Sequence, residues 1–317
     1  MRAEPRLRRP ATARSPRVSV GMPVYNGGPY LALALESILA QTFGDFELIV
    51  SDNASTDGTD AICREYAARD GRIRYVRNRE NIGANRNLNR VIELSSAPYV
   101  KVANADDLCH PELIERCVGQ LDAHPDAVLC YGQTTLIDET GGVIGPYDDD
   151  LDLRSPRPAD RFKAVITRLS LVNVHQGVMR AAALKQTGLL RDHPGADVAM
   201  LAGLALHGRF LEWPDRLFFR RMHPGASSHL DNAAKQAYVD PARAGRGLIV
   251  TRQFRSYMAA AAAGPIPLSL KITLVVWILR LAVACRNRLR PEYELAVRQL
   301  IRRLRHGGMA PAARPRG

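Results

Sequence analysis

The fold is decided by residues 18–28, which read VSVGMPVYNGG: a mostly apolar run that ends in a polar, glycine-containing loop. Such a run is typical of a buried strand. Leucine and isoleucine side chains between residues 31 and 39 then recur at the spacing of one helix face, and Phe46–Val50 is apolar again. Similar runs predict further strands at Ile73–Val76, Tyr99–Ala103 and Val128–Tyr131. This repeated β-α-β order predicts an α/β fold with a mostly parallel sheet flanked by helices on both faces.

The second half of the chain is less regular. Helices are expected over Arg161–Ser170 and near Ala196–Leu206, and two short strands over Arg209–Glu212 and Leu217–Arg221. The acidic run at residues 148–150 is interpreted as a solvated loop.

The composition describes a globular protein whose basic charge lies at its ends. The 317 residues are 46% apolar and carry a net charge of +12, which by itself suggests a nucleic acid or an anionic membrane as partner. Residues 1–17 hold a net +5 and residues 271–317 a net +9, so residues 18–270 are nearly neutral at −2. We therefore expect no nucleic-acid partner. Five cysteines without a CxxC pair fit a reducing cytoplasm, and the first 17 residues lack the apolar segment of a secretory signal.

Polar or glycine-rich loops follow the first, second and fourth predicted strands, at residues 23–28, 51–59 and 104–107. Because parallel strands place their carboxyl ends on one edge of the sheet, these loops are expected to form a single ligand site. The adjacent carboxylates of Asp106 and Asp107 suit a hard divalent cation. Taken alone, a turn that caps the next helix is the simpler interpretation of this pair.

Three further residues are candidates for contacts with a nucleotide. Asp52 and Tyr25 suit a base or ribose, with an Asx turn and a packed boundary residue as the alternative interpretations. Arg86 follows Asn81-Ile82-Gly83 at the start of a predicted helix, where a guanidinium group can meet a diphosphate. A solvated helix residue is the alternative interpretation of Arg86.

The order and spacing of these motifs resemble the family 2 glycosyltransferases of GT-A fold. The resemblance rests on VGMPVYN at 20–26, IVSDNASTDGT at 49–59, NIG at 81–83 and NADD at 104–107, and it continues more loosely to about residue 230. It implies an enzyme that moves a sugar from a nucleotide diphosphate-sugar to an acceptor, with inversion at the anomeric carbon.

The resemblance also implies roles for individual residues. Asp52 would contact the nucleotide base, and Asp106 would bind Mg²⁺ or Mn²⁺ against the diphosphate. Asn104 stands at the first position of the Asp-x-Asp motif, where a neutral oxygen donor replaces the usual carboxylate. His223 resembles a late histidine that reaches the metal, with a surface-loop histidine as the alternative. The expected nucleotide-sugar site comprises Pro23, Val24, Tyr25, Asn26, Asp52, Asn81, Arg86, Asn104, Ala105 and Asp106.

An attacking hydroxyl group must lose its proton, which calls for a carboxylate on the acceptor side. Asp197 matches the family's acidic position, although the usual Glu-Asp pair is Ala196-Asp197 here; a helix N-cap is the alternative role. Asp107, His175 and Gln176 are weaker candidates for the acceptor pocket, and hydrogen bonding within a loop or the core explains the last two equally well.

The chain is divided into a disordered basic arm at 1–17, a nucleotide-sugar-binding half at 18–110, an acceptor-binding half at 111–230 and a helical basic extension at 231–317. Lys271 and Arg280 interrupt the apolar stretch Leu268–Cys285, so we expect a helix that docks on the domain or lies at a membrane interface. A short insertion into the bilayer, with the charged side chains reaching back to its surface, is the alternative. Residues 293–304 have an apolar face surrounded by arginines, which predicts a basic amphipathic helix. Attachment to anionic lipid and ordinary docking on the domain are both compatible with it.

We therefore expect a metal-dependent, inverting glycosyltransferase that is cytoplasmic and peripheral on the inner face of the membrane. Its acceptor would be a glycan, a lipid-linked sugar or another glycoconjugate, as in the assembly of a surface polysaccharide. Transfer to a small-molecule natural product is an alternative. Asn104 and Ala196 leave a second alternative open, a catalytically weak protein that binds a sugar nucleotide or a membrane.

Overall fold

The computed structural model describes residues 15–243, 248–290 and 292. The strands of this part of the chain are β1 (Val18–Val24), β2 (Phe46–Asp52), β3 (Ile73–Arg77), β4 (Tyr99–Val102), β5 (Leu108–Cys109), β6 (Ala127–Ile137), β7 (Val143–Tyr147), β8 (Val178–Arg180) and β9 (Arg209–Arg221). Its α-helices are α1 (Leu31–Leu39), α2 (Thr59–Arg69), α3 (Ala84–Leu94), α4 (Leu113–Ala123), α5 (Pro158–Arg168), α6 (Ala181–Gln186), α7 (Ala196–His207), α8 (Asn232–Val239), α9 (Ile249–Ala263) and α10 (Leu268–Ala284).

The first four strands form the parallel half of one sheet, in the order β3-β2-β1-β4. Every residue of β2 is buried, as expected for a parallel strand that helices cover on both faces. α3 approaches β1 closely at Gly21, where a Cβ atom would lie 2.7 Å from Cγ2 of Val91. The predicted α/β fold with its flanking helices is confirmed.

The sheet continues from β4 through β8, β6, β9 and β5, and β7 pairs with β6. In this half β8 and β5 run antiparallel to their neighbours, while β6 and β9 are parallel to each other. The two strands predicted within 209–221 are one strand, which corrects the prediction. Pro214 and Asp215 lie between two paired positions and form a bulge in β9, which accommodates a proline that cannot donate to the ladder.

The C-terminal helices pack onto the same core as the sheet. Tyr257 and Ala261 of α9, and Leu274 and Ile278 of α10, belong to the hydrophobic cluster that also contains much of α7. The helix expected in the apolar stretch 268–285 therefore packs on the domain through one of its faces. In the part of the chain that the structure describes, no helix is both long enough and apolar enough to cross a bilayer.

Two segments with predicted structure lie outside the described residues. They are the amphipathic helix at 293–304 and residues 1–14 of the basic arm. Arg17, the last residue assigned to that arm, is part of the fold, because its guanidinium group lies 2.9 Å from Asp122 and its amide donates to the carbonyl oxygen of Asp45.

Candidate active site

The loops after β1, β2 and β4 open on one cavity of about 990 Å³, as the strand order predicted. Its other walls include residues before and within α3, the segment 170–175, the loop before α7, the turn after β9 and the segment 227–241 that includes α8. Among the residues singled out from the sequence, the lining includes Pro23, Val24, Tyr25, Asn26, Asn81, Asn104, Ala105, Asp106, His175, Asp197 and His223. Asp52, Arg86, Asp107 and Gln176 lie outside this lining.

Hydrogen bonds join the loops after β1 and β2 into one wall. The amide of Asn26 donates to Ser55 Oγ at 2.9 Å, and Asn26 Oδ1 accepts from the amide of Thr56 at 2.9 Å. Asn26 has a φ of +50°, a conformation that asparagine tolerates better than most residues. Tyr25, directly before this turn, keeps 44% of its side chain exposed, so its ring is available to a ligand.

Asp52 lies behind this wall, fully buried. Its carboxylate accepts from the Ser55 amide at 2.8 Å, from the Tyr75 hydroxyl at 2.8 Å and from the Arg77 guanidinium at 2.5 Å. The neighbouring Asn53 borders the cavity instead. The contact of Asp52 with a nucleotide base stays a prediction, and the observed geometry is that of a buried ion pair that fixes the loop.

Asp106 and His223 meet at the rim of the cavity. The Oδ2 atom of Asp106 lies 3.1 Å from Nε2 of His223. The His223 ring packs on Tyr30, with ring centroids 4.9 Å apart, and the Arg221 guanidinium lies 4.7 Å from the Tyr30 centroid. Arg221 also donates to the carbonyl oxygen of Asp106 at 2.9 Å, so the buried arginine holds the loop that carries the carboxylate.

The donor set of Asp106 and His223 fits a divalent cation. Two cis ligands of an octahedral ion with bonds of about 2.1 Å are about 3.0 Å apart, close to the observed separation of 3.1 Å. Within the described residues, no cluster of three or more His, Cys, Asp or Glu side chains suits a metal ion. Mg²⁺ is commonly bound through one or two carboxylates, with phosphate oxygens and water in its other positions, so a few side chains suffice beside a diphosphate.

Asp107 supports the loop from within. Its carboxylate accepts from Asn104 Nδ2 and from the Arg221 amide, both at 2.8 Å. Burial, together with the charge of Asp106, raises the pKa of Asp107 to about 7. Asp107 lies outside the cavity lining, and its place in the acceptor pocket stays a prediction.

Asp197 stands in the first turn of α7 and lines the cavity. Its Oδ1 atom accepts from the Val198 amide at 2.8 Å. Burial raises the pKa of Asp197 above its usual value, a direction that would strengthen the carboxylate as a proton acceptor. The N-cap position belongs to Gly195, whose φ is +79°, so Asp197 is not the N-cap itself.

α9 supports the loop before Asp197 from behind. Nε2 of the buried His193 forms a hydrogen bond of 2.6 Å with Oγ of Ser256 in α9. A Cβ atom on Gly195 would lie 2.8 Å from Nε2 of Gln253, which is also in α9. Nothing in the sequence pattern indicated this contact, because its partners are 63 positions apart.

His175 lines the cavity, but both of its ring nitrogens are engaged. Nδ1 contacts the carbonyl oxygen of Val172, and Nε2 is 2.8 Å from the Gln176 side-chain amide. Burial lowers the pKa of His175 to about 4, so the ring is neutral. Gln176 is buried, and its main-chain carbonyl oxygen accepts from Lys101 Nζ at 2.6 Å. His175 borders the cavity and Gln176 lies outside its lining, and the place of both residues in an acceptor pocket stays a prediction.

Several residues outside the predicted set also belong to the site. Arg220 lines the cavity and donates to Asn173 Oδ1 at 2.7 Å. Strand alternation could have indicated it, because Arg221 points inward and its neighbour must point to the other side. Lys235 and Tyr238 of α8 also border the cavity. Arg86, by contrast, pairs with Asp192 at 2.7 Å on the exterior.

One acidic residue assigned to a solvated loop is internal, which corrects that assignment. Asp149 is only 5% exposed and accepts from Thr134 Oγ1 at 3.0 Å. Burial raises its pKa to about 7. Its neighbours Asp148 and Asp150 do keep largely exposed side chains.

Comparison with known proteins gives consistent matches. The family model described as glycosyl transferase family 2 matches residues 19–182. The putative glycosyltransferase EpsE of Bacillus subtilis is 39% identical over 127 residues, which are 40% of this chain and 46% of that protein. The glycosyltransferase GlyG of Streptococcus pneumoniae is 32% identical over 125 residues, 39% of this chain and 41% of that protein. The chain thus spans less than half the length of both relatives.

Among solved structures, S. aureus TarS in complex with UDP-GlcNAc superposes with a TM-score of 0.60. The match covers 84% of this chain and 73% of TarS at 18% identity. At this identity the likeness establishes a shared fold.

Proposed function

Because the chain belongs to glycosyl transferase family 2, we propose that it transfers a sugar from a nucleotide diphosphate-sugar to a hydroxyl group, with inversion and with the help of a divalent metal ion. One observation carries the proposal: the Asp106–His223 pair and the Asp197 carboxylate border the same cavity. A diphosphate site and a proton acceptor are the two elements that such a transfer needs.

The donor would occupy the side of the cavity formed by the loops after β1, β2 and β4. Tyr25 offers an exposed ring to the base or ribose. The side-chain nitrogen of Asn53 donates to Oδ1 of Asn81 at 2.8 Å, and both residues also border the cavity. Asp106 and His223 would hold Mg²⁺ or Mn²⁺ against the diphosphate. A divalent ion in such a site neutralises negative charge that develops on the leaving diphosphate.

Asp197 would act as the general base. As the acceptor oxygen forms its bond to the anomeric carbon, the bond from that carbon to the diphosphate oxygen breaks, and the hydroxyl proton moves to the Asp197 carboxylate. Attack from the face opposite the leaving group inverts the configuration at the anomeric carbon. The raised pKa of Asp197 supports this role, because it brings the carboxylate closer to the operating pH.

We further propose that the acceptor is a glycan, a lipid-linked sugar or another glycoconjugate, and that the protein works in the cytoplasm, peripherally on the inner face of the membrane. The basic composition of residues 271–317 supports this location. Surface-polysaccharide assembly is the process that such an acceptor would serve.

The test uses purified protein and a panel of nucleotide-sugars that begins with UDP-GlcNAc, the ligand in the TarS structure. Binding and slow donor hydrolysis are measured with Mn²⁺, with Mg²⁺ and with EDTA. We expect one donor to bind and hydrolyse in a metal-dependent manner. Absence of binding by every donor would refute the proposal and favour a protein that keeps the fold without the reaction.

A further inference from the structure

α10 buries one face and leaves an apolar stripe on the other. Leu274 and Ile278 are fully buried against the core cluster. On the opposite side, five large apolar side chains are between 41% and 72% exposed: Leu268, Ile272, Val276, Leu279 and Val283. With 3.6 residues per turn, these five positions fall within an arc of about 80° and extend for about 22 Å along the helix. We call these five residues the α10 stripe.

An exposed stripe of this kind indicates a binding surface, because soluble proteins seldom leave contiguous apolar area uncovered. The charge around it identifies the partner. Residues 241–291 contain nine lysine or arginine residues and no aspartate or glutamate. Arg280, Arg286 and Arg288 are exposed on α10 or directly after it, close to the C-terminal end of the stripe.

We propose that the α10 stripe docks on an anionic lipid bilayer. The acyl region would accept the five apolar side chains, and acidic headgroups would pair with the surrounding arginines. The helix would lie in the interface, since none of the described helices is able to span a bilayer. This contact goes beyond the proposed transfer reaction and does not depend on it, although it locates the membrane attachment in α10 itself.

Two other partners that could cover the α10 stripe are less compatible with the positive charge around it. A second copy of the chain would bring two acid-free, cationic segments face to face. Residues 293–317 of the same chain carry six arginines and one glutamate, so they too would add positive charge to a cationic surface. A bilayer with acidic headgroups is the partner that satisfies both the apolar stripe and its cationic border.

The position of the stripe also relates the membrane to the cavity. α10 packs on α9, and α9 contacts the loop that carries Asp197 through Ser256 and His193. Packed helix axes lie 8–10 Å apart, so α10 lies within roughly 20 Å of that loop. Docking of α10 on the bilayer would bring the acceptor side of the cavity near the membrane, where a lipid-linked acceptor is held.

The experiment is flotation of the full-length protein with vesicles of phosphatidylcholine alone or mixed with phosphatidylglycerol. The double variant Ile272→Glu with Val276→Glu places two charges in the stripe. Its matched control, Ser269→Glu with Thr273→Glu, places the same two charges at exposed positions of α10 outside the stripe. We expect the first variant to lose at least about tenfold in binding to anionic vesicles and the control at most about threefold, with weak binding to phosphatidylcholine throughout.

Three results would overturn the proposal. The first is equal binding by the stripe variant and the wild-type protein. The second is loss of binding on deletion of residues 293–317, with the stripe intact. The third is a wild-type dimer, seen by light scattering, that the stripe variant converts to a monomer.

Two further measurements keep the result interpretable. A fluorophore that is sensitive to polarity, attached to Cys at position 276 (Val276→Cys), should shift to shorter wavelength with anionic vesicles, and no shift would count against docking. Donor binding by each variant in the absence of vesicles is measured separately. If the stripe variant binds the donor as the wild-type protein does but no longer floats with vesicles, the docking proposal is confirmed. If the wild-type protein floats with vesicles but binds no donor, the transfer reaction is refuted and the docking proposal stands.

Discussion

Replacing Asp197 with asparagine tests the assignment of the general base. Asparagine has the same shape and keeps an oxygen that can accept from the Val198 amide, now 2.8 Å from Oδ1 of Asp197, so the start of α7 should be preserved. The amide cannot accept the hydroxyl proton. General-base catalysis contributes roughly 10²- to 10⁴-fold, which corresponds to about 2.7–5.4 kcal/mol of activation free energy.

The assay is donor turnover at saturating metal, together with donor affinity. We expect kcat to fall by about 10²- to 10⁴-fold, while the dissociation constant of the donor changes by less than about twofold. Asp192→Asn is the control, because Asp192 precedes the same helix but pairs with Arg86 outside the cavity; its kcat should stay within about twofold of wild type.

The pH profile gives an independent readout. Burial raises the pKa of Asp197, and only the ionised carboxylate accepts a proton, so the rate should decline as pH falls through a value above the usual aspartate pKa of about 3.9. The residual rate of Asp197→Asn should lack this acidic limb. A variant that keeps most of its kcat and the wild-type acidic limb would refute the assignment.

Three further predictions concern the metal site, α9 and a buried carboxylate. Asp106→Asn should weaken donor binding in Mn²⁺ at least about tenfold and leave binding in EDTA unchanged, as measured by calorimetry; equal affinities in Mn²⁺ would contradict the metal role. Ser256→Ala removes the hydrogen bond to His193 and should lower the free energy of unfolding by about 1–3 kcal/mol in urea, whereas Thr273→Ala at an exposed site should change it by less than about 0.5 kcal/mol. Because burial raises the pKa of Asp149 to about 7, the folded protein binds a proton that the unfolded chain releases near pH 4. Stability should therefore fall as pH rises from about 4 to 7. Asp149→Asn should lack much of this loss, and an unchanged pH slope would disprove the assignment.

The sequence was sufficient to predict those features of the fold that depend on short, continuous stretches of residues. The apolar runs of β1, β2 and β4 are fully buried in the structure apart from Pro23, because a parallel strand covered on both faces has no polar side to interrupt the run. The same order of strands predicted which loops share one edge of the sheet, and Asp106 and Asp197 do border one cavity.

Tertiary contacts decided what each polar side chain can reach. Asp52 follows the same strand-end rule as Asp106, yet it is buried under Arg77, a partner that depends on the register of β2 with β3. Arg86 turns away to Asp192, 106 positions later. No local pattern contains such pairings, because they arise when segments distant in sequence pack together. The sequence by itself therefore determined the parallel half of the sheet and the edge at which a ligand can bind, whereas the packing of α3, β9 and α9 determined which charges face that ligand.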